Sequence, residues 1–473
     1  MKIKHNEIEI DSENPFSNCK LDRQKFSNIL TGIINSYSEG FVLAINNKWG
    51  TGKTTFIKMW QQDLKNKKFQ TVYFNAWEND FENNPLVALM GELKTLTNKD
   101  TEPEFKKTLK KAATLSKQIL PVIAEALANK YVETKGIKDL INGVTKGIAD
   151  VFENDVNEYA TKKKSIVDFR TSLSTFIANS NEGKPIVFII DELDRCRPNY
   201  AVSILEQIKH FFSVPNIVFV LSIDKVQLGN AVRGVYGSDR IDADEYLKRF
   251  IDIEYSIPEP EKNVYSKYLY NYFGFDEFLE KVERKNHYEL NSDKKAFLEI
   301  SEILFLNSSI TLRQQEKIFS HSRLALRSFT DNMYLIPEVF LFLIYIKVMD
   351  EQLYNRIKFK QLSIEELQKS FYDIVKDRLN NDEDRIERLL MWLEAYIVLY
   401  YNNYLHHYNR RNKIYERDLT TNKNKLLINS FINREKDDEF LSIFENIDRS
   451  RNSGNLDFEH FFKRIDLTEP LIS

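Results

Sequence analysis

The sequence predicts an α/β fold: a parallel-sheet core that carries a phosphate-binding loop, a helical insertion within that core, and a C-terminal all-helical region. Three observations lead to this prediction. Unbroken apolar runs at Phe41–Ile45 and Ile186–Ile190 are typical of parallel strands buried on both faces. A glycine-bearing turn joins the first run to a segment with helical spacing, Thr54–Leu64. From about residue 261 strand signals vanish and only helical patterns continue.

Composition and charge are those of an ordinary globular protein of two or three domains. The chain has 473 residues, of which 42% are hydrophobic and 29% charged. A formal net charge of -3 gives no overall attraction to nucleic acid. Cys19 and Cys196 form no disulfide framework and suit a reducing cytosol. The amino-terminal residues are too polar for a secretory signal, and the apolar run Val339–Ile346 is too short to span a bilayer. We therefore expect a cytoplasmic protein that does not enter a membrane.

An irregular lead-in over residues 1–20 precedes the first domain, which we predict to span residues 21–260. Its first element is a helix over Leu21–Tyr37, where apolar residues recur at helical spacing. Such a helix covers either a bound nucleotide base or an edge of the sheet, and the sequence leaves both roles open.

The segment Ile45–Phe56, INNKWGTGKTTF, has the composition and context of a phosphate-binding loop. Gly50 and Gly52 allow the backbone to curl so that successive N–H groups point at an anion, which also meets the positive end of the following helix. Lys53 can reach the β- and γ-phosphates of a nucleotide, and the Thr54 hydroxyl suits Mg²⁺. The predicted nucleotide-binding residues are Asn47, Lys48, Trp49, Gly50, Thr51, Gly52, Lys53, Thr54 and Thr55.

Asn47 stands where the usual spacing has the first glycine of such a loop. Asparagine adopts positive φ more readily than most residues that carry a side chain, so we expect the substitution to be tolerated. The alternative for the whole segment is a chance Gly-Lys pair, and the order of strand, turn and helix argues against it.

A strand over Gln70–Trp77 and a helix from Pro85 follow the loop. The next segment, about residues 98–165, is lysine-rich and lacks strand signals, so we interpret it as a helical insertion. Amphipathic patterns lie at Leu115–Leu127 and Ile137–Val151. Four of its lysines either contact phosphates or a partner, or form a solvated face: Lys106, Lys107, Lys110 and Lys111.

The second anchor of the predicted site is Lys184–Pro198, KPIVFIIDELDRCRP, in which Asp191 and Glu192 follow the buried strand directly. A carboxylate at a strand tip can hold Mg²⁺, and its neighbour can take a proton from an attacking water. We assign Asp191 to the metal and Glu192 to the water; the alternative is a pair of acids that only ends the strand. Asp194 and Arg195 come next and either pair or line the same cleft.

Polar residues also follow the strand over Asn216–Asp224. Ser222 and Asp224 either lie near the γ-phosphate or cap the next helix. Arg249, just before the strand-like Ile251–Tyr255, is placed to reach a bound γ-phosphate, in this subunit or a neighbouring one. Lys248 competes for that role, and an ordinary surface cation is the alternative for both.

The C-terminal region, residues 261–473, offers little chemistry. Its basic, tyrosine-bearing stretch His406–Lys425 is a weak nucleic-acid signal that equally describes an exposed loop. Neither cysteine has a ligand-spaced partner, and the adjacent His406 and His407 do not suit one metal ion. No GxSxG elbow and no ABC-type signature occurs, which argues against a serine hydrolase and an SMC or transporter ATPase.

The chain resembles the KAP family of P-loop NTPases over roughly residues 20–330. The matching stretches are NKWGTGKTTF (Asn47–Phe56), VYFNAWEND (Val72–Asp80), FIIDELDRCRP (Phe188–Pro198), VFVLSIDK (Val218–Lys225), YLKRFIDIEYSIP (Tyr246–Pro258) and ITLRQQEKIF (Ile310–Phe319). The resemblance implies an ASCE-like core, ATP with Mg²⁺ as ligands, and Arg313 as a nucleotide contact from a helical lid. It also implies a bacterial setting, often anti-phage defence, although many members carry membrane spans where this chain has residues 98–165.

These features favour an ATPase in which Lys53 stabilises the transferred phosphoryl group, Thr54 and Asp191 hold Mg²⁺, and Glu192 orients water. We expect its output to be assembly into a homo-oligomer or a complex with defence-associated proteins. A nucleotide-gated scaffold with little hydrolysis is the alternative. A nucleic-acid-stimulated motor is less favoured because the chain is nearly neutral.

Overall fold

The computed structural model describes residues 8–37, 39–82, 84–129, 147–180, 183–238, 240–259, 262–306, 310–381, 384–406, 411–417, 423–449 and 453–468. The chain divides into two compact units, Glu7–Glu259 and Pro260–Ser473.

The first unit is built on a parallel five-stranded sheet, which confirms the predicted α/β fold. The strands are β1 (Phe41–Asn46), β2 (Thr71–Asn75), β3 (Ile186–Asp191), β4 (Ile217–Ile223) and β5 (Ile253–Tyr255), in the order β2-β3-β4-β1-β5. The strand of the loop, β1, is thus separated from the acid-tipped strand, β3, by β4.

Helices cover both faces of this sheet. They are α1 (Gln24–Ser36), α2 (Lys53–Asn66), α3 (Pro85–Leu93), α4 (Glu102–Asn129), α5 (Gly147–Ser180), α6 (Pro198–Phe211), α7 (Lys225–Tyr236) and α8 (Ala243–Leu247). Proline opens α3 and α6, where a missing N–H costs no helical hydrogen bond. An Asn84 side chain caps α3 by accepting from the Leu86 N–H at 3.1 Å.

Alternate residues of each strand point to opposite helical layers, as the two-residue period of a strand requires. In β4, Val218 and Val220 join the core under α1 and α2, whereas Phe219 and Leu221 join the core under α3, α5 and α6. Burial on both faces explains why these strands appear in the sequence as unbroken apolar runs.

The predicted helical insertion is a pair of helices, α4 and α5, and it extends beyond residue 165. Phe169 and Phe176 continue the helical spacing and pack on Phe212 and Phe105, respectively. Lys106, Lys107 and Lys111 are paired with carboxylates of the same helix pair, so the structure favours a solvated face for them. The predicted amphipathic pattern at Ile137–Val151 lies mostly outside the described residues.

The second unit is helical. Its helices are α9 (Lys262–Phe273), α10 (Asp276–Leu279), α11 (Val282–Asn286), α12 (Asp293–Phe305), α13 (Leu312–Ala325), α14 (Pro337–Met349), α15 (Glu351–Lys358), α16 (Ile364–Val375), α17 (Asp384–Leu405), α18 (Asp437–Arg449) and α19 (Phe458–Ile465). The apolar run Val339–Ile346 is the buried centre of α14, a helix that is apolar all round because neighbouring helices surround it. No described helix has the length and apolarity that a membrane crossing requires.

One small sheet corrects the prediction of a wholly helical second half. Strands β6 (Tyr415–Arg417) and β7 (Asn424–Leu426) form an antiparallel pair. They lie in the basic stretch His406–Lys425, of which residues 407–410 and 418–422 are outside the described residues. Three-residue strands are too short to give a sequence signal, which explains why the pattern predicted only a loop.

Candidate functional site

The loop between β1 and α2 has the backbone of an anion-binding turn. Gly50 and Gly52 have φ of 78° and 79°, in the left-handed region that favours glycine. Gly52 is also the N-cap of α2, and no side chain caps that end. The first N–H groups of α2 and the positive end of its dipole therefore face the loop.

Lys53, the first residue of α2, is buried beneath this loop. Its side chain is folded back so that Nζ donates to the carbonyl oxygen of Asn47 and, at 3.2 Å, to that of Lys48. Burial lowers the pKa of Lys53, and the charges of Asp194, Asp224 and Asp191 oppose that shift. The ammonium group thus lies among loop carbonyls and three carboxylates, where it is in place to meet a phosphate.

Asn47 fixes the loop to the segment that follows β5. Its side-chain Nδ2 donates to the Ile257 carbonyl at 2.8 Å, and its Oδ1 accepts from the Ile257 N–H at 2.9 Å. Asn47 is not among the residues with positive φ, so the left-handed backbone on which its tolerance was argued is not found. An amide side chain suits this position because it has both a donor and an acceptor, which pair with the C=O and the N–H of Ile257.

Arg23, just before α1, supports the loop from the other side. Its guanidinium donates to the carbonyl oxygens of Gly52 at 3.0 Å and Thr51 at 2.8 Å, and the side chain is only 4% exposed. A further bond from the Thr51 hydroxyl to the Lys48 carbonyl closes the turn at 2.8 Å. Because the C=O and N–H of a trans peptide point in opposite directions, the two carbonyls bound by Arg23 direct the N–H groups of Gly52 and Lys53 away from Arg23.

Asp191 ends β3 at the same level of the sheet as the loop. Parallel pairing places Asp191 beside Ser222 and Ser222 beside Ile45. Asp191 is only 1% exposed, and its oxygens accept from Tyr73 Oη and from the Glu192 N–H, both at 3.0 Å. Burial raises the pKa of Tyr73, and the neighbouring Asp191 carboxylate adds to that shift, so Tyr73 stays a donor.

Glu192 follows in the left-handed conformation, with φ of 60°. Its Oε1 forms an ion pair with Arg195 Nη1 at 2.9 Å. The Arg195 guanidinium carbon lies 5.8 Å from the ring centre of Trp49 and 5.6 Å from that of Trp77. Arg195 thus pairs with Glu192 rather than with Asp194, the neighbour with which pairing was one predicted alternative, and its guanidinium lies beside two indole rings.

Asp194 and Asp224 hold Trp49 in place. Asp194 Oδ2 accepts from the indole Nε1–H of Trp49 and from the Asp224 N–H, the latter at 3.0 Å. Asp224 Oδ2 accepts from the Trp49 backbone N–H at 3.2 Å. Burial raises the pKa of Asp194, and the hydrogen bonds from Trp49 and Asp224 oppose the shift.

Asp224 and Ser222 differ in what they can offer a ligand. Asp224 Oδ1 caps α7 by accepting from the N–H groups of Val226 at 3.2 Å and Gln227 at 3.4 Å, so the helix-cap alternative holds for it. Ser222 is fully buried, and within the part of the chain that the structure describes its Oγ has no hydrogen-bond partner. A buried hydroxyl between β1 and the Asp191 carboxylate is a group that a phosphate or water could satisfy.

The donor set fits Mg²⁺ better than a metal held by protein alone. Among the described residues, no group of three or more His, Cys, Asp or Glu side chains could hold a metal ion. Mg²⁺ typically binds one or two protein oxygens and completes its shell with phosphate and water. Asp191, whose oxygens retain free lone pairs, and the half-buried Thr54 hydroxyl are the two residues that would serve.

An ion pair joins the segments that follow β2 and β3. Asp80 accepts from the Arg197 N–H and from Arg197 Nε, both at 2.7 Å. A third bond runs from Arg197 to the Asp80 carbonyl. We call this pair the Asp80–Arg197 clamp. It holds the turn Glu192–Cys196 against the segment that carries Trp77.

The predicted arginine of the first unit, Arg249, lies away from these groups. Arg249 lines a cavity with Phe41 and Val42, at the amino end of β1, whereas the loop is at the carboxyl end. Six residues of strand separate the two ends by roughly 17–20 Å. Arg249 therefore does not reach the phosphate loop of its own subunit. It is exposed and has no carboxylate partner among the described residues, whereas Lys248 pairs with Glu245.

Arg313 belongs to the second unit, where it is the second residue of α13 and exposed. Its role as a nucleotide contact stays a prediction.

Three residues of the site were missed by sequence reasoning: Arg23, Tyr73 and Asp80. Arg23 and Asp80 act through long-range hydrogen bonds that leave no local pattern, but Tyr73 carries a signal, since alternation along β2 places it on the face of Asp191.

Comparison with known proteins agrees with this geometry. Residues 23–382 match the family model described as KAP family P-loop domain. A phage T7 exclusion protein of Escherichia coli K12 is 21% identical over 266 residues, which cover 51% of this chain and 34% of that protein. An uncharacterised protein of Methanocaldococcus jannaschii is 30% identical over 175 residues, covering 32% of this chain and 88% of its own. The match thus spans about a third of the length of the T7 exclusion protein.

Among solved structures, the ORC2 protein of Aeropyrum pernix, in ADPNP and ADP complexes, aligns with 90% of this chain and 94% of its own. Its TM-score is 0.31 and its sequence identity 13%.

Proposed function

The chain belongs to the KAP family of P-loop NTPases, and from this premise we propose that it binds ATP with Mg²⁺ and hydrolyses the β–γ bond. The order of the sheet carries the proposal. Because β4 lies between β1 and β3, Asp191 and Glu192 stand about two strand spacings, roughly 10 Å, from the loop. That interval accommodates a terminal phosphate together with an attacking water.

Each residue has a distinct part in this proposal. The loop N–H groups and the Lys53 ammonium bind the phosphates and stabilise the charge that develops during transfer. Glu192 orients the attacking water and accepts its proton. Thr54 and Asp191 would hold Mg²⁺, which supplies neutralisation of phosphate charge. Ser222, whose hydroxyl has no partner among the described residues, donates toward the γ-phosphate or the water.

Two substitutions test the proposal. Lys53→Ala removes the buried cation, so calorimetry should detect no Mg·ATP binding. Glu192→Gln keeps the shape of the site but removes the base, so it should bind ATP and leave it uncleaved. Arg240→Ala, an exposed arginine of the same unit, is the matched control and should behave as wild type. Rapid turnover in Glu192→Gln would remove Glu192 from its role.

A nucleotide-gated scaffold is the second candidate, and two contacts favour it. Lys53 Nζ is bound by loop carbonyls and Glu192 is bound by Arg195, so both groups have to change partners before hydrolysis. Such a site suits slow turnover. Size-exclusion profiles with and without ATP, compared with steady-state turnover, discriminate the two: a scaffold changes its size on binding ATP while turnover stays near zero.

We also propose that nucleotide binding drives assembly, with a homo-oligomer or defence-associated proteins, in a role against phage. A relative named for T7 exclusion supports this role. Arg249 then acts on the nucleotide of a neighbouring subunit. Mixing the Lys53→Ala and Arg249→Ala proteins tests this role. In a mixed oligomer, a subunit that keeps Lys53 can meet a neighbour that keeps Arg249, and this complete interface should restore the activity that each variant lacks alone. Equal inactivity of the mixture would exclude action in a neighbouring subunit.

A nucleic-acid-stimulated motor is the least favoured function. Three of the four lysines singled out in the insertion already pair with carboxylates, and the net charge is -3. ATPase activity that rises with DNA or RNA, together with nucleic-acid binding that falls steeply with salt, would support this function.

A further inference from the structure

The residue assigned to the attacking water is already engaged in an ion pair. Arg195 Nη1 lies 2.9 Å from Glu192 Oε1, with side chains only 23% and 15% exposed. A carboxylate that shares a lone pair with a guanidinium is a poorer acceptor for the proton of water. We infer that Arg195 is a positioning residue that holds Glu192 in the free protein and releases it for only part of the time once nucleotide fills the phosphate loop. This inference rests on the proposed ATPase function.

Two indole rings set the position of Arg195. Its guanidinium carbon is 5.8 Å from the ring centre of Trp49 and 5.6 Å from that of Trp77. A guanidinium within about 6 Å of an indole is attracted by the ring quadrupole, and Arg suits such sites because it is planar and weakly hydrated. We call Arg195, Glu192, Trp49 and Trp77 the Arg195 latch.

The two rings belong to different parts of the site. Trp77 follows β2, and the Asp80–Arg197 clamp fixes that segment to the turn after Glu192. Trp49 lies within the phosphate loop, between Asn47 and Gly50. One ring is therefore anchored to the turn that carries Glu192, and the other belongs to the part that receives the ligand.

Trp49 is bonded to the groups that a triphosphate would disturb. Its indole Nε1–H donates to Asp194, and its backbone N–H donates to Asp224 Oδ2 at 3.2 Å. Phosphate in the loop would attract that N–H and repel both carboxylates, since like charges in a partly buried site interact strongly. Movement of Trp49 removes one of the two rings that hold Arg195, while Trp77 and Glu192 still contact it. With nucleotide in the loop, the latch is therefore open for only part of the time.

The consequence is that, at saturating nucleotide, kcat is limited by the fraction of time for which Glu192 is free of Arg195. In the latched state Glu192 is held by Arg195, so water near the site is not activated. A purely structural ion pair would make the opposite prediction, because its loss would lower activity along with stability.

Steady-state hydrolysis of Mg·ATP by the full chain tests the latch. Arg195→Ala should raise kcat on the order of 3- to 10-fold, with KM changed by less than about twofold. Arg195→Lys keeps the charge but not the planar stacking, so it should fall between wild type and Arg195→Ala. Trp77→Leu, which leaves the ion pair intact, should raise kcat in the same direction by a smaller factor.

Arg240→Ala is the matched control and should leave kcat and KM unchanged. A melting curve shows whether the Arg195→Ala protein folds. If it does not fold, Trp77→Leu still tests the latch. A kcat that falls or stays constant in Arg195→Ala and Trp77→Leu overturns the latch while ATPase activity stands. Absence of hydrolysis in wild type defeats the proposed function instead.

Discussion

Arg23 should control nucleotide affinity although it faces away from the ligand side of the loop. Its guanidinium holds the Gly52 and Thr51 carbonyls at 3.0 and 2.8 Å. Arg23→Met keeps much of the side-chain volume but removes both bonds. Without them, the peptide groups of the loop can rotate and the N–H groups no longer point together at a phosphate.

The expected size follows from the two bonds. A hydrogen bond from a charged donor contributes roughly 1.5–3 kcal/mol, so the pair contributes about 3–6 kcal/mol at most. Thr51 and Gly52 are half-buried, and water can replace part of that energy. Taking about half gives roughly 1.5–3 kcal/mol, which is about a 10- to 100-fold loss in affinity for Mg·ATP.

Isothermal calorimetry with Mg·ATP measures this loss, and a melting curve of the free protein reports folding. Arg23→Lys can make one bond and should fall between wild type and Arg23→Met. Lys25→Ala is the matched control, since Lys25 and its partner Asp22 are exposed and contribute little. Affinity within about twofold of wild type in a well-folded Arg23→Met protein would refute the reasoning.

Three further outcomes are expected. Asn47→Gly, although it restores the usual glycine, should lower thermal stability and Mg·ATP affinity, because two hydrogen bonds with Ile257, about 1 kcal/mol each, are lost. Tyr73→Phe should raise the Mg²⁺ concentration for half-maximal ATPase activity on the order of tenfold, because Asp191 loses an orienting donor. Burial lowers the pKa of His460 to about 4. The neutral ring is therefore favoured in the folded state, and stability should be full above pH 6.5 and fall between pH 6.5 and 4, by up to roughly 3 kcal/mol.

Each of these three predictions would be contradicted by a specific result. Tighter nucleotide binding by Asn47→Gly would show that the glycine backbone matters more than the bonds to Ile257. An unchanged Mg²⁺ requirement in Tyr73→Phe would mean that Asp191 needs no orienting donor. For His460, melting curves of wild type and His460→Phe between pH 7 and 5 should diverge, and parallel slopes would exclude this group as the source.

The fold was predictable because β3 and β4 are buried on both faces, β1 is buried at its centre, and the loop contains two glycines with positive φ. Gly50 and Gly52 adopt the backbone that their position predicted, and Asp191 stands at the end of its strand as expected. Both features are local, because an unbroken apolar run and a turn that needs positive φ each depend only on residues that are adjacent in the sequence.

What the sequence could not supply was the orientation of side chains across long separations. Asn47 bonds to Ile257, and Arg23 bonds to the loop that begins more than twenty residues later. Arg249 precedes its strand in the sequence, so it lies at the amino end of the sheet, opposite to the loop. The position of Arg249 in the sequence therefore did not predict its distance from the phosphate loop, because only the carboxyl ends of the parallel strands meet at the site.

The Asp80–Arg197 clamp bears on how this architecture tolerates change. It joins two points of the chain between which lie α3, the α4–α5 excursion and the acid-tipped strand β3. Asp80 and Arg197 fix the chain on either side of α4 and α5, so the positions of Asp191 and Glu192 do not depend on the length of that excursion, and loop closure penalises extra length only weakly. The α4–α5 excursion can therefore change in length or composition while the parallel sheet and the phosphate loop keep their shape.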